Sequence, residues 1–323
     1  MAARDQIEAA HKTCISATMA AVIAGVSPYS SPFELWSRFE GVETKREETY
    51  AMRRGTFMEP GVIKEFQRET KLRVRRPRRV FDPNFWFTTE EYGFPMGALL
   101  DGITEDSTGP AGVEAKTANP WGAHEWLYKD WEDASANDRI PLVYFMQCQH
   151  QLACTGWQHI YVPADVGGNF VWRLIKRDDE IISMLTDRER DFWINNVLAH
   201  KPPVADDSEA TSRAIAARWP SSTPEFVEET PDPEIARLAQ VYVAEGQTLT
   251  KLKKERDGTG NRLRVILKNR EALIAGDYKI SWKSYMKRKF DLARFRNEQP
   301  ELAEKYTVED PQRPLKVTEM KEG

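Results

Sequence analysis

The run Gly97-Ala98-Leu99-Leu100-Asp101-Gly102-Ile103, the polar segment Thr104-Glu105-Asp106-Ser107-Thr108-Gly109-Pro110, and then Gly112-Val113-Glu114-Ala115-Lys116 decide how this chain is read. Two short apolar runs on either side of turn-forming residues predict a β-hairpin. A turn centred near Ser107 and Thr108 sets Asp101 opposite Glu114, with Cβ atoms about 4.5–5.5 Å apart if the two share a face. Carboxylates so placed repel, and the pairing makes sense with a cation between them. Hard oxygen ligands suit Mg2+ or Mn2+ better than zinc. Glu114 and Lys116 lie two residues apart, so on a strand both point to one side and the ammonium sits beside the cation. There it can hold a water or offset charge on a phosphate. Ala115 turns its side chain away but can offer its backbone carbonyl. A charged pair across a hairpin is also what a solvated face looks like. The apolar Leu99, Leu100, Ile103 and Val113 around the pair favour a core sheet, where unpaired charge is expensive.

The outer bounds come from length and charge. With 323 residues the chain can bury a sizeable core and still carry a small second domain. Three cysteines, no leader-like segment and no long apolar run predict a cytoplasmic protein with no membrane partner. Cys14, Cys148 and Cys154 match neither zinc nor iron–sulfur spacing, so no structural metal is expected. A formal net charge of −4 argues against a generally basic surface, and contacts to nucleic acid must therefore be local. The cluster from Lys71 to Arg79, with Arg73, Arg75 and Arg76, is one candidate. Such a run is either a phosphate contact or a solvated strand edge, for which Pro77 is suited.

Local patterns place further candidates. Ser16 or Thr18 opens a short apolar helix through Met19–Ala24 that Gly25 ends, and its free amides could meet a phosphate. Ser31 with Pro32 opens a second helix with Phe33, Leu35, Trp36 and Phe39 as its packing set. A third helical region covers Arg53–Glu59, where Pro60 and Gly61 are expected to interrupt or restart it. Trp121, Trp126, Tyr128 and Trp131 punctuate a polar stretch. From Ile140 to Leu152 a helix carries Tyr144, Gln147 and Gln151 as one polar stripe, either satisfied by backbone or contacting a phosphate or nucleotide. His150 and His159 read as structural. Gly156 ends this helix, and Trp157–Val162 with Phe170–Ile175 form a second hairpin around Asp165-Val166-Gly167-Gly168.

In order, Ile15-Ser16-Ala17-Thr18, Gly25-Val26-Ser27-Pro28-Tyr29, Arg54-Gly55 with Glu59-Pro60, Leu100-Asp101-Gly102, Glu114-Ala115-Lys116, and Tyr144 with Gln147, Gln149 and Gln151 resemble the YqaJ viral recombinase group. Those proteins are similar to phage lambda exonuclease, within the PD-(D/E)xK nuclease superfamily. The resemblance spans roughly the first two hundred residues. It implies an α/β fold, a central mixed sheet flanked by helices, with a mainly helical C-terminal appendage. It implies a Mg2+-dependent exonuclease acting on double-stranded DNA ends, 5′ to 3′, with two ions and with Mn2+ able to substitute. Asp101, Glu114 and the Ala115 carbonyl would be metal ligands, with Glu59 helping to hold the second ion or its water. Lys116 would partner the attacking water, and Gln147, with Tyr144 behind it, would complete the catalytic set. Thr18 matches a hydroxyl near the terminal 5′-phosphate, but the arginine expected before it is missing, leaving His11 or Lys12 to substitute. The DNA-facing set is thus Lys12, Ser16, Thr18, Arg54, Tyr144, Gln149 and Gln151, together with Arg73, Arg75 and Arg76. By the same resemblance the partners are a homo-oligomeric ring around the duplex and a single-strand annealing protein, in a phage or mobile element within a bacterial host. A restriction-type endonuclease and a non-catalytic recombination scaffold remain as alternatives.

The last third reads differently. The nuclease-like domain is expected over 1–205, a Pro-rich linker over 206–233, and the appendage over 234–323. Within the appendage, apolar residues from Ile235 to Ile274 at near-helical intervals suggest an αα-hairpin, Gly276 a cap, and Tyr278–Trp282 a short strand.

Overall fold

The computed structural model describes residues 10, 12–42, 44, 48–78, 82–119, 126, 140–223, 228, 230–309 and 312–319. Trp121, Tyr128, Trp131 and His11 lie outside them. The chain divides into two compact units, Met1–Trp219 and Pro220–Gly323.

The hairpin forms where its turn residues require. Strands β4 (Gly102–Asp106) and β5 (Gly109–Val113) pair antiparallel, with Gly102 opposite Val113 and Asp106 opposite Gly109. Ser107 and Thr108 make the turn, and Gly109 takes a φ of 125°, open to glycine alone. One step beyond the ladder, Asp101 faces Glu114, as the register predicts.

Strand β5 and the next piece, β6 (Lys116–Ala118), both run parallel to one long strand, β7 (His159–Val166). Val113 pairs with Tyr161 and Lys116 with Ala164, so β5 and β6 are two halves of one strand with no register shift between them. Glu114 and Ala115 form the gap. At the other edge of β7, β8 (Asn169–Lys176) closes the second hairpin around Gly167 and Gly168. A smaller sheet orders β1 (Ile15–Ser16), β3 (Met96–Leu99) and β2 (Trp86–Thr89) with β3 central. Leu100 and Asp101 carry the chain from β3 to β4, so Asp101 stands at the junction of the two sheets.

Helices cover both faces. Helix α1 (Ala17–Ile23) starts at Ser16, and α2 (Pro32–Phe39) is capped by Ser31, whose hydroxyl accepts from the Glu34 amide at 3.1 Å. Helix α3 (Tyr50–Thr70) places Ile63 and Phe66 against Val74, Val113 and Tyr161, while α4 (Leu142–Thr155) packs Leu152 among Ile160, Val162 and Ile175. Strand β7 therefore buries alternate side chains on opposite faces. Helix α5 (Asp179–Phe192) packs beside α4. The α/β core with a mixed sheet between helices is the fold class expected from the sequence.

Four local expectations are corrected. Pro60 does not break its helix: α3 runs on for 21 residues. The interior proline removes one hydrogen bond at a cost of about 3 kcal/mol, and the buried Val62, Ile63 and Phe66 that follow it offset that cost. The stretch read as linker contains α6 (Glu209–Arg218), whose Ala210, Thr211 and Ala214 are buried; Thr211 Oγ1 meets Ser31 Oγ at 2.8 Å. The αα-hairpin is instead one continuous helix, α7 (Pro233–Leu267), unbroken by Gly246, Gly258 or Gly260. Gly276, at a φ of 56°, is not a helix cap but sits in the turn between β9 (Ala272–Ala275) and β10 (Tyr278–Ser281). Two short helices, α8 (Leu292–Glu298) and α9 (Pro300–Lys305), complete the second unit.

Candidate active site

Local chain geometry sets the centre of the site. Because the strand leaves its ladder at Glu114 and Ala115, the Ala115 amide turns to Asp101 and donates to its Oδ2 at 2.9 Å. The Glu114 amide still donates to the Tyr161 carbonyl at 2.9 Å, which pins the break. The Glu114 side chain is 5 % exposed. Its Oε1 accepts from Lys116 Nζ at 2.6 Å and from Gln147 Nε2 at 2.6 Å, and its Oε2 accepts from Gln151 Nε2 at 2.7 Å. Lys116 Nζ also donates to Gln147 Oε1 at 3.0 Å and lies 4.8 Å above the Tyr144 ring. Tyr144, Gln147 and Gln151 share the face of α4 that the spacing predicts, one turn apart.

Charge in this pocket follows from burial. Burial, together with the neighbouring Glu114 and Glu59 carboxylates, pushes the Asp101 carboxyl well above its ordinary range, against the opposing pull of Lys116 and the Ala115 amide. Burial alone would lower Lys116, but Glu114 and Asp101 outweigh it and hold the ammonium above the usual lysine range. Beside these two carboxylates Lys116 is held as the ammonium, a hydrogen-bond donor. Two crowded carboxylates and a nearby carbonyl form an all-oxygen donor set, with repulsion that a hard divalent cation would relieve. Among the described residues no three His, Cys, Asp or Glu side chains cluster to hold a metal by themselves. The fit is to an ion that takes one or two carboxylates and completes its shell with water.

The remaining expected residues separate into those near this centre and those elsewhere. Glu59, half-buried on α3, is close enough to raise Asp101, yet its Oε1 accepts from Arg76 Nη2 at 2.9 Å. Arg76 is thus tied to the acid and is not an open phosphate contact. Arg73 and Arg75 are exposed on the segment beside β4, where Arg75 exchanges backbone hydrogen bonds with Ile103 and lays its guanidinium 5.7 Å from the Phe85 ring. Arg54 Nη2 donates to Asp165 Oδ1 at 2.8 Å, so that cation also has an acid of its own. Ser16 is buried at the start of α1, 3.2 Å by its hydroxyl from that of the exposed Thr18. Lys12 is exposed in the turn before β1.

Two glutamines expected on DNA are corrected. Gln149 is fully buried on the other side of α4; its Nε2 donates to the Lys176 carbonyl at 2.8 Å and its Oε1 accepts from the Asp178 amide at 3.0 Å. It ties α4 to the end of β8. Gln151 is 1 % exposed and its amide is spent on Glu114, which makes it a positioning residue.

Sequence reasoning missed the partner of His150. The imidazole is fully buried between two acceptors, Glu189 Oε1 at 2.8 Å from Nδ1 and the Gly97 carbonyl at 3.2 Å from Nε2. Burial would lower its pKa, but Glu189 outweighs that and raises it well above the ordinary value, so the ring donates from both nitrogens. This pair fixes α4 against α5 and β3. The sole signal for Glu189 is an acid on the apolar face of a later helix, with nothing local to name its partner.

Residues 6–158 match the profile of the YqaJ-like viral recombinase domain. The uncharacterised YqaJ protein of Bacillus subtilis (strain 168) is 27% identical over 310 residues, covering 95% of this chain and 91% of that one. Among solved structures, the alkaline exonuclease LHK-Exo of Laribacter hongkongensis is 22% identical, with a TM-score of 0.44 over 61% of this chain and 93% of its own. A phage-related exonuclease from Haemophilus somnus 129PT is 11% identical, with a TM-score of 0.42 over 60% of this chain and 100% of its own. The matched segment covers β1 through α4 and so contains Asp101, Glu114, Lys116, Gln147 and Gln151. No helix among the described residues is long and apolar enough to cross a membrane.

Proposed function

We propose that this chain is a Mg2+-dependent exonuclease that resects one strand of duplex DNA from its end, 5′ to 3′, leaving a 3′ tail for a single-strand annealing partner. The observation that carries the reading is the gap in the strand at Glu114–Ala115, which turns a buried carboxylate, a second carboxylate and a lysine toward one point. The match to the YqaJ-like viral recombinase domain supports it. The catalytic unit is residues 1–205 extended by α6 to Trp219, with Pro220–Gly323 as the appendage.

Asp101, Glu114 and the Ala115 carbonyl would hold Mg2+, for which Mn2+ can substitute, with Glu59 serving a second ion or its water after releasing Arg76. The chemistry Mg2+ would supply when held there is an activated water and stabilisation of charge on the attacking and leaving oxygens. Lys116, kept charged by its carboxylates, donates to the water or to a phosphate oxygen and orients it. Gln147 bridges Lys116 and Glu114 and so fixes the distance between carboxylate and donor. Gln151 holds the far oxygen of Glu114. Tyr144 presents its ring face to the ammonium and shields it from solvent, worth about 0.5–2 kcal/mol. The exposed Arg73, Arg75, Lys12 and Thr18 would make the phosphate contacts, and a homo-oligomeric ring would gather them around a duplex despite the acidic whole.

Linear and covalently closed duplex incubated with Mg2+ test the reading. Only linear DNA should be degraded, and Glu114→Ala and Lys116→Ala should each abolish turnover while retaining the wild-type circular dichroism. Cutting of the closed circle favours the endonuclease alternative. Binding of ends without cleavage favours the scaffold, and wild-type rates in Lys116→Ala remove that residue from the mechanism.

A further inference from the structure

Helix α7 spans 35 residues, about 52 Å at 1.5 Å per residue. It contains Gly246, Gly258 and Gly260, each costing about 1 kcal/mol relative to alanine, and Leu267 is its one buried residue. A helix of this composition draws its stability from packing one face. That face is written in the sequence. From Ile235 the positions 238, 242, 245, 249, 252, 256, 259, 263 and 266 follow at alternating steps of three and four, a heptad seam. Seven of the ten positions are Ile, Leu or Tyr, and the three exceptions are Glu245, Arg256 and Thr259. Ile235, Leu238, Tyr242, Leu249, Leu252 and Ile266 are 49–69% exposed. The segment around Val317 approaches α7 on the side of Val243, Gln247, Thr250 and Lys254 and meets the seam at Tyr242 alone.

We infer that α7 is a docking surface for α7 of a second copy of this chain, paired antiparallel about a two-fold axis between Leu249 and Leu252. The exceptions choose both partner and direction. In full antiparallel overlap Leu249 packs on Leu252 of the second copy, Glu245 meets Arg256, Tyr242 meets Thr259, Leu238 meets Leu263, and Ile235 meets Ile266. Both polar interruptions are thus answered by their own complements, and the two-fold repeats each pair. A parallel, in-register pair would set Glu245 on Glu245 and Arg256 on Arg256 inside the seam, a like-charge conflict. Sliding the antiparallel pair by one heptad sets Arg256 against Leu252 or Leu238, leaving a guanidinium on an apolar layer. Beside the seam no like charges oppose: Arg262 faces Val241, Lys253 faces Gly246, and Glu255 faces Thr248. The pairing is isologous, so it doubles whatever assembly the first unit forms. It does not depend on the exonuclease reading.

Charge reversal in the full chain tests it. Sedimentation of the wild type should give a mass twice that of Glu245→Lys, which opposes an ammonium to Arg256, and twice that of Arg256→Glu, which opposes two glutamates. The double variant carrying both changes should regain the wild-type mass, because its swapped charges pair again only in the antiparallel arrangement. Both side chains are exposed in the single chain, so thermal unfolding of the first unit should be unchanged in each variant, while the helical circular dichroism of α7 should fall with the mass and return in the double variant. A second measurement needs no charge reversal: a mixture of Glu245→Cys and Arg256→Cys chains should cross-link 245 to 256 on oxidation, not 245 to 245. One mass for all four proteins overturns the inference, whether the seam is then covered by the chain's own first unit or by a different protein. Cross-linking of 245 to itself overturns the direction.

Discussion

Replacing Gln151 with leucine separates a positioning role from a structural one. The wild-type amide donates from Nε2 to Glu114 Oε2 at 2.7 Å, while its buried Oε1 has no hydrogen-bond partner among the described residues. Leucine has nearly the same volume. It removes the hydrogen bond to the buried, charged Glu114, worth about 1.5–3 kcal/mol, and a longer one of 3.5 Å to the Leu99 carbonyl, but also one unsatisfied buried acceptor, which costs about 1–3 kcal/mol. These partly cancel in folding, so stability should fall by about 1–2 kcal/mol and the melting temperature by about 2–8 °C. Catalysis has no such cancellation. Glu114 keeps Lys116 and Gln147 on Oε1 but loses the donor on Oε2, so its carboxylate rotates more freely. Loss of an outer partner of a metal ligand typically costs about 10–100-fold in metal affinity or activity, which corresponds to about 1.4–2.7 kcal/mol. Initial rates of nucleotide release from linear duplex, measured across a Mg2+ titration, read this directly. The expected result is a lower maximal rate and a higher half-saturating Mg2+ with melting lowered only that far. A rate within twofold of wild type at every Mg2+ concentration would refute the positioning role. A melting temperature that collapses together with the rate would show that Gln151 serves the fold instead.

Three further outcomes follow from particular contacts. Gly97→Ala should destabilise the fold by about 1–3 kcal/mol or more, read by chemical denaturation, because the new Cβ would collide with the Trp86 ring and stand 2.8 Å from Cys14 Sγ; an unchanged midpoint would show that Trp86 can give way. Burial pushes the Asp106 carboxyl up, but hydrogen bonds from Thr108, Tyr161 and His159 outweigh it and hold it well below the usual range. Its stabilisation is therefore present above the unfolded value near 3.9 and lost as pH falls below it; Asp106→Asn should flatten the acid limb of a stability–pH curve, and an unaltered limb would contradict that assignment. For the exposed Arg75, alanine should reduce the slope of log affinity for duplex against log salt by about 0.9, and an unchanged slope would take Arg75 off the DNA.

What could be read early has a local origin. A turn of Ser107 and Thr108 between two apolar runs fixes register, and register alone sets Asp101 opposite Glu114 and Lys116 beside it. Helical spacing likewise puts Tyr144, Gln147 and Gln151 on one face. Neither needs knowledge of what lies beyond a few residues. Pro60 misled because interior proline is disfavoured locally, whereas the burial of Val62, Ile63 and Phe66 against a sheet formed much later in the chain outweighs the lost hydrogen bond. The apolar intervals after Ile235 showed a helix but not its length, since three glycines weaken a helix without forcing a turn.

The sequence by itself determined the hairpin, the order of the acid, the acid and the lysine, and the stripe on α4, because backbone periodicity and turn chemistry act over short separations. Only the tertiary structure decided which polar group answers which. It gave Arg76 to Glu59, Arg54 to Asp165 and Glu189 to His150, turned Gln149 to the backbone at the end of β8, and brought Gln151 to the far oxygen of Glu114. Those pairings join residues from 17 to 111 positions apart. A buried donor takes whichever acceptor the packed fold brings within about 3 Å, and that choice is made by the assembled layers, not by any one segment.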